Sequence, residues 1–463
     1  MRKLWLFTLV LLVLTFATAA HAQFSVLYYF GTNAEDPLNG NGIVAQGRDG
    51  NLYGTAFDGG QFGFGAVFKI TQAGTLTTLY SFSGLDGAYP LGGLTLATDG
   101  NFYGTTYTSL EEGTLFKIAS GGKLTTLHKF TGASDGGEAE APPIQASDGN
   151  FYGTTTGDGT HSYGTIYKLT ASGTFTTLYQ FDITHGALPV APLVQGTDGN
   201  LYGTTPYGGS DTYGVVFKIT TAGKLTVLHN FSDNPDGATP DGGLVQGSDG
   251  NFYGTTYRGG NGFGTIFKMT PAGKLTILHS IALSNQGGYP TAGLVQASDG
   301  NFYGANTAGV DNGYGELFKI TPNGTFSVLY NFDGATGSDP ESPLLQHTKG
   351  VLYGNALCGG TLGPDTLCSP EETNGVFYSL KAKLKPFVTL LPYSGKVGKK
   401  IEFLGQHFTS ATTVSFNGTP ATVTVKSGTY LTAVVPSGAT SGFVTVTTSK
   451  GTLTSNKKFQ VIP

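Results

Sequence analysis

The stretch that decides the fold reads DGNFYGTT at residues 249–256. Close copies of it recur throughout the chain, 49 to 51 residues apart. They begin at Asp49, Asp99, Asp148, Asp198, Asp249 and Asp299, and a seventh, degenerate copy reads KGVLYGN from Lys349. A fixed period of this length predicts a repeat architecture in which each unit is one supersecondary element.

Each unit contains four short runs of alternating, β-branched or aromatic residues, which we name a, b, c and d. In the unit from 292 to 332 these runs read GLVQAS, NFYGAN, GELFKIT and GTFSVLYNF. Glycine, proline, asparagine and aspartate separate them, as in a four-stranded antiparallel meander. The a–b link, Asp299-Gly300, is a favoured two-residue hairpin turn because both positions tolerate a positive φ.

The two ends of the repeat array predict a closed ring. FSVLYYF at 24–30 is a d-type run without its own unit, whereas the seventh unit ends on its c run, GVFYSLK at 375–381. A ring needs this register to complete its last blade, whereas an open solenoid would leave exposed edges. We therefore predict an all-β fold: a seven-bladed β-propeller over residues 23–381, closed by an N-terminal strand.

The segments on either side of the array have different patterns. Residues 1–22 begin with Arg2 and Lys3, continue with an apolar run and end in Ala20-His21-Ala22, which predicts a signal peptide cleaved near Ala22. We expect a secreted, periplasmic or cell-surface protein without a membrane span. Residues 382–385 form a short linker, and seven alternating runs over 386–463 predict a small immunoglobulin-like β-sandwich.

The charge is distributed unevenly. Residues 23–385 contain 16 basic and 29 acidic residues, and this acidic balance argues against a nucleic-acid partner. Twenty-two of these acidic residues fall in or beside the b–c and d–a loops, which differ in every unit. Variable loops on a rigid scaffold are where binding is usually found. One face should therefore be acidic, either for solubility alone or to bind cations, sugars or basic partners.

Two segments resemble known families. The pattern DGN[LF]YGTT, G-[TV]-[IV]-F-K-[IL]-T and GTLTTLYSF resembles the glycine-rich GloVer tandem repeat of exported bacterial proteins, which implies a propeller and no established activity. Residues 386–463, with IEFLGQHF, TTVSFNGTPATVTV and a closing FQVIP, resemble an IPT/TIG domain. This second resemblance implies a spacer or an interaction role.

Few residues are candidates for chemistry. His161 and His185 lie in variable loops and could be neighbours near Asp158 and Asp182, as a metal site or an acid–base pair; loop polarity is the simpler explanation. His128, His229 and His279 take a d-run position held by tyrosine elsewhere, which indicates packing. We assign the repeated Asp to its turn rather than to calcium. Cys358 and Cys368 predict a disulfide in an exported chain, with a free or metal-bound pair as the alternative.

No phosphate-binding loop, nucleophile elbow, zinc-protease motif or Cys-x-x-Cys motif is present, and no cofactor is predicted. The leading hypothesis is therefore an exported binding protein whose acidic loops meet an extracellular glycan, a surface polymer or a surface protein. One alternative is a propeller enzyme, a lyase or glycan-degrading enzyme, that uses the loop histidines and acids. The other is a structural envelope protein.

Overall fold

The computed structural model describes residues 22–107, 112–282, 286–309, 313–360 and 374–462. The segment predicted to be a signal peptide lies outside these ranges except for Ala22. Within them, no helix has the length and apolar character needed to cross a membrane. The first 28 strands form seven four-stranded antiparallel sheets, the blades.

The blade strands alternate in the order a, b, c, d within each unit. Their bounds are β1 (Gln23–Tyr29), β2 (Pro37–Gln46), β3 (Leu52–Gly59), β4 (Ala66–Ile70), β5 (Leu76–Ser81), β6 (Thr95–Leu96), β7 (Phe102–Thr106), β8 (Thr114–Ile118), β9 (Leu124–Lys129), β10 (Ile144–Gln145), β11 (Phe151–Thr155), β12 (Thr165–Leu169), β13 (Phe175–Gln180), β14 (Val194–Gln195), β15 (Leu201–Thr205), β16 (Val215–Ile219), β17 (Leu225–Asn230), β18 (Val245–Gln246), β19 (Phe252–Thr256), β20 (Thr265–Met269), β21 (Leu275–Ser280), β22 (Val295–Gln296), β23 (Phe302–Asn306), β24 (Glu316–Ile320), β25 (Phe326–Asn331), β26 (Leu345–Gln346), β27 (Leu352–Ala356) and β28 (Val376–Lys381).

The ring closes as the sequence predicts. The seventh sheet has the order β1-β28-β27-β26, so the N-terminal strand supplies the d strand that the last unit lacks. β1 runs antiparallel to β28, with Gln23 opposite Lys381 and Tyr29 opposite Val376. In the described chain, a hydrophobic core lies between each pair of neighbouring blades, including the seventh and the first. The array is therefore a closed seven-bladed propeller.

The aromatic residue and tyrosine of the DGN[FL]Y motif pack on opposite sides of the blade. Tyr103 of blade 2 stacks on Phe151 of blade 3, with ring centroids 3.9 Å apart, and Tyr202 stacks on Phe252 at 4.0 Å. The glycine that follows the tyrosine is needed for close packing: a Cβ on Gly104 would lie 2.6 Å from the Phe116 ring. The motif thus encodes contacts between blades as well as a turn.

The repeated Asp organises the a–b turn, which confirms its structural assignment. In blade 5, Asp249 accepts hydrogen bonds from the backbone N–H and the side-chain amide of Asn251 at 3.1 and 2.8 Å, and from the Tyr253 hydroxyl at 2.9 Å. Blades 1 to 4 and 6 repeat this arrangement. Blade 7 has Lys349 in place of the Asp and Val351 in place of the Asn.

Glutamine side chains link neighbouring blades around the ring. The Gln296 Oε1 atom accepts a hydrogen bond from the Ser248 N–H of the preceding blade at 2.8 Å, and the contact from the Thr348 N–H to Gln46 Oε1, at 3.0 Å, joins blade 7 to blade 1. Four other blade junctions have the same bond. At the junction of blades 1 and 2, Leu96 stands where the glutamine would be.

Residues after 388 form the sandwich. Its strands are β29 (Thr389–Leu391), β30 (Ser394–Gly395), β31 (Lys400–Leu404), β32 (Thr413–Phe416), β33 (Thr419–Ala421), β34 (Val423–Val425), β35 (Tyr430–Val434), β36 (Val444–Thr448), β37 (Gly451–Thr454) and β38 (Gln460–Val461). Two four-stranded sheets, β29-β31-β35-β34 and β33-β32-β36-β37, enclose one core, and β30 pairs with β38 in parallel. This is the immunoglobulin-like sandwich that the sequence predicts.

The C-terminal domain docks on the propeller face that carries the a–b turns. Arg48 forms hydrogen bonds of 2.6 to 3.0 Å with the Glu402 carboxylate, and its guanidinium lies 4.8 Å from the centroid of the Tyr430 ring. The Phe387 N–H donates to the Thr348 carbonyl at 3.0 Å. One end of the propeller axis is therefore covered, and the opposite face carries the variable loops.

Candidate functional site

A cup-shaped cavity of about 220 Å³ opens at the axis on the variable-loop face. Every blade contributes one equivalent residue to it. In blades 2 to 7 this residue lies four positions before the inner strand begins, and in blade 1 it lies within that strand. These seven residues, which we call the mouth ring, are Asn41, Leu91, Glu140, Val190, Asp241, Thr291 and Glu341. The ring is chemically uneven, because three of its members are acidic and two others are polar.

The backbone turns sharply two residues before each member of the mouth ring. All seven blades have a non-glycine residue with positive φ at this point, a conformation that side chains rarely adopt. These residues are Asn39, Tyr89, Glu138, Leu188, Thr239, Tyr289 and Asp339, with φ between 51° and 60°. Their backbone groups bridge two blades: the Thr239 N–H donates to the Tyr213 carbonyl, and the Thr239 carbonyl accepts from Tyr257 N–H. Seven such bends are sustained by the surrounding structure and direct the next residues toward the axis.

The three carboxyl groups of the ring share one environment. Glu140 and Asp241 are half-buried, whereas the side chain of Glu341 is exposed. Desolvation, followed by the negative charges of Glu138 and Asp339, raises the pKa values of Glu140 and Glu341 to about 7. Desolvation and the charge of Glu341 likewise raise the pKa of Asp241 to about 7, against the opposing effect of Arg258. Near neutral pH the cup can therefore both accept and donate hydrogen bonds.

Glycine and proline narrow the axis below the mouth ring. A Cβ on Gly93 would lie 2.1 Å from the Ile43 backbone nitrogen, and one on Gly293 would lie 2.9 Å from the Gly243 carbonyl oxygen. Pro142 also lines the cup at this level. The backbones of neighbouring blades are therefore in direct contact here, and small, rigid residues line the base of the cup.

The four loop residues singled out from the sequence lie outside the cup lining. His185 bonds to Asp182 of its own loop, with Nδ1 2.9 Å from the carboxylate, and both side chains are exposed. Partial burial raises the pKa of Asp182, but the hydrogen bonds from His185 and Thr184 have a larger opposite effect. The pKa of Asp182 is therefore below its usual value. His161 is exposed, and no hydrogen bond or ion pair joins it to His185 in the described chain.

Asp158 belongs to a different acidic group in blade 3. It lies beside Glu112, whose pKa is raised by desolvation and then by the charges of Asp158 and Glu138. Within the described residues, no group of three or more His, Cys, Asp or Glu side chains is arranged to hold a metal ion. Of the predicted site residues, His185 and Asp182 are bonded to each other, and the pairing of His161 with His185 stays a prediction.

The d-strand histidines both pack and form hydrogen bonds. His128 stacks on Phe175 with centroids 3.7 Å apart, and its Nε2 atom lies 2.9 Å from Asp135. His229 and Asp236 repeat the contact at 2.7 Å, and in blade 1 the Tyr80 hydroxyl contacts Asp86 in the same way. Several loop acids therefore anchor their own loops, so the acidic residues that line the cup are a smaller set than the sequence count indicates.

The predicted disulfide would join Cys358, which the structure describes, to Cys368. Cys358 is almost fully buried. Cys368 lies outside the described residues, so the bond between them stays a prediction.

The sequence analysis missed the mouth ring. Its position can be found by aligning the seven units: three residues before the leucine of the LVQ run, Asp241 in one unit corresponds to Leu91, Val190 or Thr291 in others. The residue type at this position varies from apolar to acidic between units, whereas the residues on either side of it are similar in most units. Comparison between units would therefore have identified it, but only once strand a was known to line the axis.

Comparisons with known proteins identify both segments. The model of the Gloeobacter/Verrucomicrobia repeat matches residues 13–196 and 183–368, and that of the IPT/TIG domain matches 387–461. No curated protein matches the sequence.

Solved structures are similar in fold. A gluconolactonase from Xanthomonas campestris is 14% identical, with a TM-score of 0.39 over 61% of this chain and 86% of that one. A luciferin-regenerating enzyme is 12% identical, with a TM-score of 0.40 over 79% and 97%. An auxiliary nutrient binding protein from Bacteroides thetaiotaomicron is 12% identical, with a TM-score of 0.40 over 58% and 67%. At these identities the likeness concerns the fold alone.

Proposed function

The chain belongs to the Gloeobacter/Verrucomicrobia repeat family, and from this premise we propose that it is an exported binding protein whose ligand is the end of an amine-bearing glycan. The observation that carries the proposal is the set of three carboxyl groups gathered in one axial cup. Pockets of this kind, concave and with a few convergent polar groups of shifted pKa, are the default binding sites of unassigned folds.

The charge of the cup favours a cationic group. Glu140, Asp241 and Glu341 each gain negative charge as the pH rises through about 7, and an ammonium group would offset their mutual repulsion. Asn41 and Thr291 add neutral hydrogen-bonding groups, which suit hydroxyls. A ligand with both an amine and hydroxyls, such as a de-N-acetylated amino sugar, matches this combination.

The size of the cup favours an end-on contact. An apolar cavity of about 150 Å³ accommodates one benzene ring, and the cup measures about 220 Å³. One six-membered sugar ring would fill it, with the rest of the glycan lying across the variable loops. Tyr207 and Tyr213, both exposed on loops of blade 4, offer aromatic surfaces there.

A binding experiment with matched probes tests this function. We expect a glucosamine oligosaccharide to bind the mature protein saturably and its N-acetylated counterpart to bind at least tenfold more weakly. Glu341→Gln should weaken the first interaction roughly tenfold, because it removes one charge-assisted contact. Asp211→Asn removes the same charge from an exposed loop acid outside the cup lining and should change little.

The outcomes separate the candidate functions. Equal losses in Glu341→Gln and Asp211→Asn would indicate diffuse attraction to an acidic surface, and no saturable binding of any glycan would favour a structural envelope protein. Carboxyl groups with pKa values near 7 also suit acid–base catalysis, which keeps a glycan-degrading activity as the second candidate. Mass spectrometry of the same incubations would detect its products, and catalysis would require them to disappear with Glu341→Gln.

A further inference from the structure

A second cavity, of about 290 Å³, lies between the base of the propeller and the C-terminal domain. We call it the chamber. Its propeller side includes the strand-a side chains Val245, Val295 and Leu345, and its other side includes Leu391 and Leu404 of the sandwich. The chamber and the cup share no lining residue. It is thus a separate, largely aliphatic compartment on the same axis.

Lys457 is the only charged residue among the described residues that line the chamber. Its Nζ atom lies 5.9 Å from the centroid of the Tyr393 ring, and the described chain offers it no ion pair. Burial lowers the pKa of the Lys457 ammonium. An ammonium group in apolar surroundings is costly unless an anion or several acceptors compensate it.

The other polar groups around the chamber are already engaged. The Gln46 amide donates to Thr348 Oγ1 at 2.9 Å, and the Gln346 amide donates to Ser298 Oγ at 2.9 Å. The Tyr393 hydroxyl contacts Thr389 at 2.7 Å and also Asn456. These bonds leave Lys457 as the one side chain that carries a charge among the described residues of the chamber wall.

We propose that the chamber binds an aliphatic monocarboxylate, with its carboxylate on Lys457 Nζ and its hydrocarbon chain against Val295, Leu345 and Leu404. An anion would satisfy the ammonium, and the hydrocarbon would replace water along the aliphatic wall at roughly 25 cal/mol for each Å² buried. The cavity is about twice the volume that accommodates a benzene ring, which suits a chain of about eight carbons.

A smaller cavity lies next to the chamber between the two domains. Hydrogen bonds from the linker and the sandwich reach blades 1, 6 and 7 through Arg48, Ser298 and Thr348 in the described chain. The smaller cavity, of about 190 Å³, lies between the sandwich and the turns of blades 2 and 3, and it shares Leu391 with the chamber.

Calorimetry with octanoate on the full mature protein tests the proposal. We expect saturable binding to the wild type, at least tenfold weaker binding to Lys457→Met, and unchanged binding to Lys458→Met, which alters the exposed neighbouring lysine. Octanol, which lacks the charge, should bind the wild type and Lys457→Met equally. Bound octanoate should also raise the pKa of Lys457, so binding at a pH near that pKa should take up protons in the wild type and not in the variant.

Two results would overturn the assignment: octanoate that does not bind the wild type, or octanoate that binds Lys457→Met as tightly as it binds the wild type. Lys457→Met should fold, because Lys457 is half-buried, forms no ion pair in the described chain and can be replaced by an unbranched apolar side chain of similar length. Lys457→Gln, a polar side chain without the charge, gives a second measurement if the methionine variant is not soluble. The result is independent of the cup, because neither probe carries an amine or a sugar.

Discussion

The affinity of the cup for a cation should rise steeply with pH. A carboxyl group with a pKa of about 7 is roughly one-tenth ionised at pH 6 and nine-tenths ionised at pH 8. The pKa values of Glu140, Asp241 and Glu341 all lie near 7. If the bound cation requires one ionised carboxylate, the affinity should increase about tenfold between pH 6 and pH 8. If it requires all three, the increase approaches a thousandfold.

Calorimetry at pH 6, 7 and 8 measures this slope. The probe should be an N-trimethylated glucosamine oligosaccharide, because a quaternary ammonium group keeps its charge throughout the range. Each of the variants Glu140→Gln, Asp241→Asn and Glu341→Gln should remove about one factor of ten from the increase if its carboxylate contacts the cation. The three groups repel one another, so they titrate as a set and the transition should be broader than that of a single acid. Asp211→Asn should leave the slope unchanged.

The ligand-free protein provides an independent check with the opposite sign. A carboxyl group whose pKa is higher in the folded state than in the unfolded state favours folding while it is protonated. This contribution is lost as the pH rises from about 4 through 7, so Glu341→Gln should make the empty protein more stable than the wild type at pH 8. An affinity that is the same at pH 6 and pH 8, together with equal stabilities at pH 8, would refute the reasoning.

Three further predictions concern the scaffold. Partial burial raises the pKa of Asp249, but hydrogen bonds from Lys268 and Asn251 outweigh it and lower the pKa to about 2. Since the side chain is 39% exposed, solvent screening reduces its contribution to stability to about 1 kcal/mol, which Asp249→Asn should lose at pH 7 in urea denaturation and to a decreasing extent as the pH falls from about 4 through 2. Gln296→Leu should cost about 1–2 kcal/mol by leaving the Ser248 N–H unpaired, and faster hydrogen exchange of that amide would show it. Arg48→Met and Glu402→Gln should show a coupling of about 1–2 kcal/mol in a double-mutant cycle read from exchange of the linker amides, whereas additive effects would contradict the docked arrangement.

The blades and their closure could be predicted because they depend on local, repeated signals. Seven copies of an alternating pattern indicate seven meanders, and a d-type run at one end with a missing d at the other allows only one closed register. The Asp-Gly turns follow from backbone preferences that hold wherever the dipeptide occurs. None of these inferences required a contact between distant residues to be known.

The bends that build the cup could not be predicted in this way. Their positive-φ residues include Leu188, Thr239 and Tyr289, which have little preference for that conformation, and no glycine marks the position. The bend is imposed by hydrogen bonds to the preceding blade's loop, such as that from the Tyr289 N–H to the Phe263 carbonyl. Because tertiary contacts override local preference here, the direction of Asp241 and Glu341 depends on the assembled ring.

In the sequence, the docking of the two domains is reflected only in a few residues that depart from the repeat pattern. Arg48 stands where the other units have serine or threonine before the turn, Leu96 replaces a glutamine of the ring, and Lys349 replaces the turn Asp. Glu402 is the only acid of the C-terminal domain. The contact of Arg48 with Glu402 spans 354 residues, so the sequence could not show that these exceptions meet.

The exceptions to the repeat therefore divide by face, and this division bears on function. On the turn face they build the contact with the sandwich, which covers the axis and places Lys457 at the chamber. On the loop face they place acids at three of seven equivalent positions. The cup and the chamber share no lining residue, so they are two separate cavities. A repeat needs no such departures to close, and their presence at both ends of the axis is the reason for proposing two separate sites, one for a cation in the cup and one for an anion in the chamber.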